Sequence, residues 1–379
     1  MPATRTLERP AASSAAVAPP MALTIELTHR CPLQCAYCSN PLQMDLPKNE
    51  LTTAEWLDVI DQAADLGVLQ LAFSGGEPMA RKDHVELVAR ATERGLYTNL
   101  LTSAVQLTDE ALARLVEAGI CHIQISFQDS DAEAGDAVAG YKGAFERKVA
   151  AARRVRAAGL PLTLNFVVHR RNSHRIDAMI ALGETLEPER IEIANVQYHG
   201  WALLNRDALL PTRAQLDHIT AVVEAARRRL DGRIAFDYVV PDYYAVRPKA
   251  CMGGWGRRIL NVTPTGKALP CHAAESLPGF AFPSVREQRL ADIWTKSDLF
   301  TRFRGVDWMP EPCQSCERRE IDWGGCRCQA FAITGDAAVT DPACHLSPEH
   351  ARMAEAVAEM EAHAGADYVP RRLRPRGHV

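Results

Sequence analysis

Three cysteines near the start of the chain, Cys31, Cys35 and Cys38, have a C-x3-C-x2-C spacing. Three thiolates from one short loop suit three irons of a [4Fe–4S] cluster, because iron–sulfur centres prefer soft sulfur ligands. The fourth iron then lacks a protein ligand and is open to a small chelating molecule. A zinc site is the alternative, with His29 as the fourth ligand of a closed tetrahedron. The spacing therefore predicts a metal centre in this loop.

Most of the other cysteines fall in the last third of the chain. They are Cys251, Cys271, Cys313, Cys316, Cys326, Cys328 and Cys344. The total of 11 is odd, and clustered thiols in a reducing compartment bind metal or do redox chemistry more often than they form disulfides. Cys121 stands apart in the apolar run 120–125, where we expect a small core residue on a buried strand. The last third of the chain is therefore predicted to hold further metal ligands.

Short apolar runs alternate with longer amphipathic segments between residues 21 and 240. The predicted strands are Leu23–Leu27, Val68–Phe73, Tyr97–Leu101, Ile120–Phe127, Leu162–Val168 and Arg190–Asn195. The predicted helices are Thr53–Leu66, Lys82–Arg94, Asp109–Ala118, Gly143–Ala158 and Ser173–Leu186, with one more over 212–230. Such alternation is typical of a parallel sheet with right-handed crossovers. Because the six units are fewer than the eight of a closed barrel, we expect an α/β fold with an open or partial (β/α)6 barrel.

Polar residues follow each predicted strand, at the end where parallel α/β proteins carry their sites. They are Thr28, His29 and Arg30, the run 74–78, Thr102 and Ser103, Ser126, Gln128 and Asp129, His169, Arg170 and Asn172, and Gln197, Tyr198, His199 and Trp201. Because these sets share one rim of the sheet with the first cysteine loop, the sequence predicts the functional site there.

The composition excludes several classes of protein. With 379 residues, 47% hydrophobic and 24% charged, the chain is predicted to be globular rather than disordered. A formal net charge of −4 gives no attraction to nucleic acid. Its apolar runs are shorter than the ~20 residues of a membrane span. The first residues lack the apolar core of a signal peptide, so we expect a cytoplasmic protein that does not associate with membranes.

We expect four segments: a flexible tail over 1–20, the partial barrel over 21–240, a second domain over 241–350, and a helix with a basic tail over 351–379. After Cys251 the periodicity weakens, Gly, Pro and Cys become frequent, and little hydrophobic core is evident. Such a segment favours a domain stabilised by metal. From Pro370 onward the chain is basic, and we expect it to be disordered.

The cysteine loop, with an aromatic residue before its third cysteine, resembles the radical S-adenosylmethionine (SAM) superfamily. The Gly-Gly-Glu-Pro run at 75–78 strengthens the resemblance, since its glycines expose backbone carbonyls to an ammonium group and its glutamate adds a counter-charge. The resemblance implies a partial barrel and cleavage of SAM, bound at the open iron of a [4Fe–4S] cluster, to methionine and a 5′-deoxyadenosyl radical. The cofactor-binding residues that it implies are Tyr37, Gly75, Gly76, Glu77 and Ser126.

The later cysteines resemble the SPASM extension of radical SAM enzymes that act on ribosomal peptides and proteins, a domain with two auxiliary iron–sulfur clusters. The resemblance implies one cluster on Cys251, Cys271, Cys326 and Cys328, and a second on Cys313, Cys316, Asp322 and Cys344. Asp322 stands where the SPASM pattern has cysteine, and a harder carboxylate ligand should alter the potential of its cluster. The alternatives are a surface aspartate at 322, and a zinc ribbon over 313–328.

Within this group, five local strings resemble the PqqE family, the PqqA peptide cyclases of pyrroloquinoline quinone biosynthesis. The strings are 124–130, 197–202, 253–256, 269–275 and 322–330, within a resemblance that runs from about residue 20 to about residue 350. Members of this family also have an aspartate at the position of Asp322, where the general SPASM pattern has a cysteine. The resemblance implies a new C–C bond between a glutamate Cγ and a tyrosine ring in the PqqA precursor peptide. It also implies the PqqD peptide chaperone as a partner, and an electron donor such as flavodoxin.

The implied reaction needs a proton acceptor, because the tyrosine ring loses one electron and one proton after the bond forms. The candidate catalytic residues are Gln197, Tyr198 and His199, with His169 as a further candidate. Packing between the two domains is the alternative for Tyr198 and Trp201. Two other functions stay open: a different SPASM enzyme, for example one like the sulfatase maturases, and an iron–sulfur electron-transfer protein, which would leave the 75–78 run without a purpose.

Overall fold

The computed structural model describes residues 17–42, 44–363 and 367–371. Most of the predicted flexible tail, residues 1–16, lies outside this range. In the last four residues of that tail, the Trp294 indole donates a hydrogen bond to the Ala18 carbonyl at 2.9 Å and Pro20 is buried, whereas residues 17–19 are exposed. The flexible tail stays a prediction.

One nine-stranded sheet organises the described part of the chain. Its strands are β1 Ala22–Glu26, β2 Gln70–Ser74, β3 Tyr97–Thr102, β4 His122–Phe127, β5 Leu162–Val168, β6 Arg190–Asn195, β7 Ala235–Val239, β8 Ile259–Val262 and β9 Ala268–Leu269. The strand order is β7-β6-β5-β4-β3-β2-β1-β8-β9. Every neighbouring pair is parallel except β8 and β9.

Helices connect the parallel strands and continue into the last third of the chain. They are α1 Thr53–Leu66, α2 His84–Glu93, α3 Asp109–Glu117, α4 Ala132–Ala139, α5 Ala144–Ala157, α6 Ile176–Thr185, α7 Gly200–Leu204, α8 Arg206–Leu209, α9 Arg213–Arg229, α10 Leu290–Lys296, α11 Asp298–Thr301, α12 Arg319–Asp322, α13 Arg327–Thr334 and α14 His350–Ala362. Among the described residues, none of these helices is both long and apolar enough to cross a bilayer.

Local sequence signals explain where the helices begin and end. The Thr52 hydroxyl accepts a hydrogen bond from the Glu55 amide, and the Glu55 carboxylate accepts one from the Thr52 amide, which forms a capping box at the start of α1. Thr108 caps α3 through the Ala111 amide. Gly67 ends α1 in the left-handed conformation, with a φ of 91°. These are the capped starts and glycine ends that the sequence predicts.

The two faces of the sheet differ in polarity. In β4 the side chains of Ile123, Ile125 and Phe127 are fully buried in the main core, whereas the alternating Gln124 and Ser126 are half-buried. Successive side chains of a strand point to opposite faces, so the apolar face packs under the helices and the polar face lines an interior cleft. A parallel sheet with one polar face is the arrangement expected of an open barrel that holds a ligand.

The α/β fold with a parallel sheet is confirmed, and the six predicted strands are all present. Three further strands were not predicted: β7, which spans 5 residues, and the shorter β8 and β9, which span 4 and 2. β8 lies in the cysteine-rich region and pairs in parallel with β1. The sheet therefore continues from the predicted barrel into the predicted second domain.

The last third of the chain contributes much of the core, so the prediction that this region has little hydrophobic core is wrong. Its members of the main core cluster include Trp255, Leu260, Val262, Leu269, Leu290, Ile293 and Trp294. The core residues were overlooked because they come from short elements between glycines and prolines, where no long periodicity develops. Burial of large side chains such as these contributes about 1.5–3 kcal/mol each.

Two further predictions are wrong about which side chains are buried. Cys121 is not a buried strand residue: it is half-buried, precedes β4 and directs its thiol to the Gly119 carbonyl at 3.7 Å. Arg371 belongs to the tail that was expected to be disordered, yet its side chain is only 3% exposed. The rest of that tail, residues 372–379, lies outside the described range.

Candidate functional site

The first cysteine loop leaves β1 and lies over one end of the sheet. All three of its cysteines line a cavity of about 400 Å³, together with residues of β3, β4, β5, β6 and β7. The Gln34 amide donates to the Ala139 carbonyl at 2.7 Å, and the Ala202 amide donates to the Cys38 carbonyl at 3.1 Å. Backbone contacts from two helices therefore hold the loop in place beside the cavity.

Gly75 and Gly76 also line this cavity, and they join the end of β2 to the cysteine loop. The Gly76 amide donates to the Thr28 carbonyl at 2.6 Å, and the Glu77 amide donates to the Arg30 carbonyl at 2.8 Å. A Cβ on Gly76 would lie 2.4 Å from the Arg30 carbonyl oxygen, so no other residue fits there without moving the backbone. Since the amides face the cysteine loop, the glycine carbonyls are free to accept from a bound ligand.

Glu77 is fully buried and does not line the cavity. Its carboxylate accepts hydrogen bonds from the Thr102 hydroxyl at 2.7 Å, and from the amide and hydroxyl of Ser103 at 2.9 and 2.5 Å. Thr102 and Ser103 do line the cavity. Glu77 thus connects the end of β2 to the end of β3, and it can influence a ligand through these two residues. Its predicted direct role in cofactor binding stays a prediction.

A chain of hydrogen bonds runs from a buried lysine to the cysteine loop. Lys148 on α5 donates to the Gln128 side-chain oxygen and, at 2.8 Å, to the Ser126 carbonyl. Gln128 donates from Nε2 to the Tyr37 hydroxyl at 2.8 Å. The Tyr37 hydroxyl lies near the Cys35 thiol and favours its thiolate form. The relay brings a positive charge to bear on a predicted iron ligand.

Burial controls the ionisation of these groups. It raises the pKa of the Cys31 thiol to about 12 and lowers the pKa of the Lys148 ammonium to about 8. Thiolates at this site therefore need the positive charge of bound iron. Among the described residues, no three His, Cys, Asp or Glu side chains converge as a site for a single metal ion. A [4Fe–4S] cube binds each thiolate through a different iron, so its ligands need not converge, and three cavity-lining thiols fit it.

Sequence reasoning missed the polar floor of the cavity. Glu192 on β6 accepts hydrogen bonds through Oε2 from the Asn165 amide at 2.6 Å and from the Gln124 amide at 3.1 Å. Burial raises the pKa of the Glu192 carboxyl. All three residues line the cavity. A signal for this floor was present in the sequence: polar side chains occur at alternating positions within these strands. The sequence analysis considered only the polar residues that follow the strands.

The three predicted catalytic residues line one small pocket together with Cys326, but only Gln197 also reaches the main cavity. Gln197 lines the main cavity. Tyr198 is buried in a separate apolar cluster, where its ring meets that of Tyr243 edge-on at 5.3 Å. The pKa of Tyr198 is raised well above its usual value by burial, so its hydroxyl stays protonated. His199 is directed toward the later cysteines, and its ring lies 5.8 Å from that of His272.

His169 lies beneath the cavity rather than in it. Its ring is 6.0 Å from the Tyr37 ring, and burial lowers its pKa to about 4. Trp201 is buried as well. Of the predicted rim residues, the cavity includes Ser74, Gly75, Gly76, Thr102, Ser103, Ser126, Gln128 and Gln197.

Four of the later cysteines lie close together, in the arrangement predicted for the first auxiliary cluster. The Cys326 thiol interacts with those of Cys251 and Cys328, and the Cys328 thiol interacts with that of Cys271. Cys326 and Cys328 come just before and at the start of α13, whereas Cys251 and Cys271 flank the β8–β9 hairpin. Elements distant in the sequence thus bring four thiols to one place, next to His272.

The residues predicted to bind the second auxiliary cluster lie around one small pocket. Cys313, Cys316, Asp322 and Cys344 all line it, together with Arg247. The Arg247 guanidinium lies 3.6 Å from the Cys344 sulfur, and Arg318 lies 3.6 Å from the Asp322 carboxylate. Asp322 is buried rather than on the surface. Three thiols and one carboxylate facing a single pocket are a suitable donor set for a second cluster.

Comparison with protein families and solved structures agrees with this geometry. The model of the radical SAM superfamily matches residues 25–182, and that of the SPASM iron–sulfur cluster-binding domain matches residues 251–317. Streptococcus suis SuiB bound to S-adenosylmethionine superimposes with a TM-score of 0.70 at 19% identity, over 87% of this chain and 78% of SuiB. The enzyme anSMEcpe with bound AdoMet superimposes with a TM-score of 0.63 at 14% identity, over 91% of this chain and 99% of its own.

Curated relatives are much closer in sequence. The PqqA peptide cyclase of Granulibacter bethesdensis is 60% identical over 94% of this chain and 95% of its own length. Those of Bradyrhizobium diazoefficiens and Gluconobacter oxydans are 60% and 59% identical, over 87% and 89% of this chain and 87% and 94% of their own. The cofactors of these families, SAM with a [4Fe–4S] cluster and auxiliary iron–sulfur clusters, suit the thiols described above. The chain belongs to the PqqA peptide cyclase family of radical SAM enzymes.

Proposed function

We propose that this enzyme joins a glutamate side chain to a tyrosine ring within the PqqA precursor peptide. The observation that carries the proposal is the cavity itself, in which the thiols of Cys31, Cys35 and Cys38 face the polar floor of β4, β5 and β6. Cys31, Cys35 and Cys38 would hold the [4Fe–4S] cluster, which with SAM would supply the removal of one hydrogen atom from the glutamate Cγ. The carbon radical adds to the ring, which then loses one electron and one proton.

The protein has to hold the peptide and accept the proton. Glu192 suits the proton transfer, because its carboxylate lies in the cavity lining and its pKa is raised by burial. Two side-chain amides donate to one of its oxygens, Oε2. Gln197 is the predicted catalytic residue that also belongs to the lining, and it can orient the peptide. Tyr198 and His199 do not line the main cavity. We propose that His199 contributes to the surroundings of the first auxiliary cluster instead.

For the auxiliary clusters we propose the two ligand sets named above, with Asp322 as the one carboxylate ligand. An auxiliary cluster is the chemical class of acceptor suited to the single electron that the ring gives up. The segment boundaries proposed from the sequence, 21–240 and 241–350, separate the first cysteine loop from these sets. In this scheme the barrel carries out radical chemistry and the later region removes the electron.

We further propose that PqqD presents the peptide, that an electron donor such as flavodoxin reduces the first cluster, and that neither nucleic acid nor a membrane takes part. A reducing compartment suits the chain, since none of its 11 cysteines forms a disulfide and ten of them are proposed cluster ligands. The cytoplasm is therefore the proposed location.

The test is a reaction of the anaerobically reconstituted protein with SAM, a reductant, PqqA and PqqD. We expect 5′-deoxyadenosine and a peptide lighter by two hydrogens, with fragments that link glutamate to tyrosine. Formation of 5′-deoxyadenosine with no change in PqqA would favour another peptide substrate. Absence of SAM cleavage would instead favour an iron–sulfur electron carrier and overturn the proposal.

A further inference from the structure

Residues 367–371, which we call the arm, pack against the first cysteine loop. Asn205, at the start of α8, holds the arm by two hydrogen bonds with Val369: its Oδ1 accepts from the Val369 amide at 2.7 Å, and its Nδ2 donates to the Val369 carbonyl at 2.9 Å. The same Nδ2 donates to the Ala36 carbonyl of the cysteine loop at 2.9 Å. One asparagine therefore joins the arm to the loop.

Arg371 extends this contact along the loop. Its amide donates to the Gln34 carbonyl at 3.2 Å. Its Nη2 donates to the His29 carbonyl at 2.9 Å and contacts the Met44 sulfur at 3.2 Å. Together with the bond from Asn205, these bonds hold three backbone carbonyls of the segment that carries the cysteines, those of His29, Gln34 and Ala36. The guanidinium therefore has a defined position at the wall of the cavity.

The charge of Arg371 has no carboxylate partner within ion-pair distance in the described part of the chain. The side chain is 3% exposed, and its Nε is buried without a hydrogen-bond partner among the described atoms. It lines the same cavity as Gly75 and Gly76, and its charge favours the thiolate forms of Cys31 and Cys35. A buried cation with an unused donor is costly unless an anion is bound close to it.

We propose that the arm completes the cofactor cavity and that Arg371 is the cation for an anionic group bound there. Two such groups belong to the cofactors of this family: the thiolate-ligated iron–sulfur cluster and the carboxylate of SAM. The arm acts as a strap across the cysteine loop, and Arg371 is a positioning residue. The inference depends on these cofactors and not on the peptide, so it can fail while the proposed function holds.

The experiment uses the full chain with reconstituted clusters and no peptide. The variants are Arg371→Gln and Arg371→Lys, with Arg114→Gln as a control that removes one exposed positive charge on α3. Iron per chain and the EPR spectrum of the reduced protein are measured without SAM. Dissociation constants are then measured for SAM and for decarboxylated SAM, which lacks the carboxylate.

If Arg371 faces the carboxylate of SAM, we expect Arg371→Gln to weaken the binding of SAM at least tenfold, because a charge-assisted hydrogen bond is lost. Decarboxylated SAM should then bind equally to both proteins, and Arg371→Lys should restore part of the SAM affinity. If Arg371 faces the cluster, Arg371→Gln should lose iron or change the EPR spectrum in the absence of SAM. Arg114→Gln should match the wild type throughout.

Two results would overturn the proposal. One is that Arg371→Gln retains its iron, its spectrum and its SAM affinity within twofold. The other is an equal loss of affinity for SAM and decarboxylated SAM with unchanged iron, which would leave Arg371 only a structural role. A second variant, Asn205→Ala, tests the strap without altering Arg371. It should increase tryptic cleavage after Arg371 and reproduce the weaker SAM binding, whereas unchanged protection and binding would contradict the proposed strap.

Discussion

Gln128 Nε2 donates a 2.8 Å hydrogen bond to the hydroxyl of Tyr37, the residue that stands between the second and third cysteines of the first loop. Gln128 itself accepts from Lys148, and the Tyr37 hydroxyl lies near the Cys35 thiol. A hydrogen bond to a thiolate stabilises the reduced, more negative state of an iron–sulfur cluster. We therefore expect the aromatic residue of this loop to have an electronic role in addition to packing.

Tyr37→Phe removes the hydroxyl near Cys35 while preserving the ring. We expect the potential of the first cluster to fall by about 20–60 mV, which corresponds to the loss of one hydrogen bond of 0.5–1.5 kcal/mol. An EPR-monitored redox titration measures the shift. Tyr97→Phe, at the exposed start of β3, is the matched control. An unchanged potential in Tyr37→Phe would mean that the hydroxyl does not act on the cluster.

The variant Cys31→Ala, Cys35→Ala, Cys38→Ala tests the first cluster as a whole. We expect it to contain about four fewer irons per chain, the content of one [4Fe–4S] cluster, and to release no 5′-deoxyadenosine. The auxiliary clusters should remain, because their predicted ligands come from other elements. Cys121→Ala is the control, since Cys121 is half-buried and not part of the cavity lining. SAM cleavage by the triple variant would exclude this loop as the site of the reaction.

Asp322→Ala tests the carboxylate ligand of the second auxiliary cluster. Asp322 is buried in the same pocket as Cys313, Cys316 and Cys344, so we expect its removal to change the EPR signals of the auxiliary clusters. The signal of the first cluster should not change. Asp307→Ala removes an exposed carboxylate in the same region and serves as the control. Identical spectra for Asp322→Ala and wild type would eliminate Asp322 as a ligand.

Glu192→Gln tests the proton acceptor. We expect the yield of cross-linked peptide to fall about 100-fold, as for loss of a general base, with SAM cleavage retained within about twofold. The control is Asp237→Asn, because Asp237 pairs in register with Glu192 but is exposed, ion-paired with Arg190 and outside the cavity lining. Equal losses of cleavage and cross-linking would show that Glu192 positions SAM instead, and full activity would show that the proton leaves by another route.

His169 should make the fold sensitive to acid. Burial lowers its folded pKa to about 4, so the unfolded chain binds more protons between about pH 6.5 and pH 4, and stability is lost as the pH falls through this window. The charges that act on His169 are those of Asp129, Arg171 and Arg175.

The matched experiment compares wild type and His169→Gln in urea unfolding followed by tryptophan fluorescence. We expect the variant to lose less stability than the wild type between pH 7 and pH 4, by up to about 3 kcal/mol at the lower limit. Above pH 7 the difference between the two proteins should no longer depend on pH. Parallel pH profiles from pH 7 to pH 4 would show that His169 is not the group responsible.

The sequence predicted the elements whose signals are local. The six barrel strands and the capped helices follow from alternation, Thr52 and the terminal glycines, and the cysteine spacing located the first loop. The elements that were missed depend on tertiary contacts. Glu192 and Lys148 are charged residues that solvent would normally surround, and only the fold shows that amides and carbonyls bury them. Arg371 lies in a basic tail whose composition gives no indication that Asn205 anchors it.

The parallel pairing of β8 with β1 has a consequence for electron movement. β1 leads directly into the first cysteine loop, and β8 lies between Cys251 and Cys271, so one backbone ladder connects two of the predicted cluster sites. Tunnelling between redox centres slows steeply as the gap between them widens. Any change in that gap would require the β1–β8 ladder to break, so we expect the spacing of the two sites to be preserved while the peptide enters and leaves.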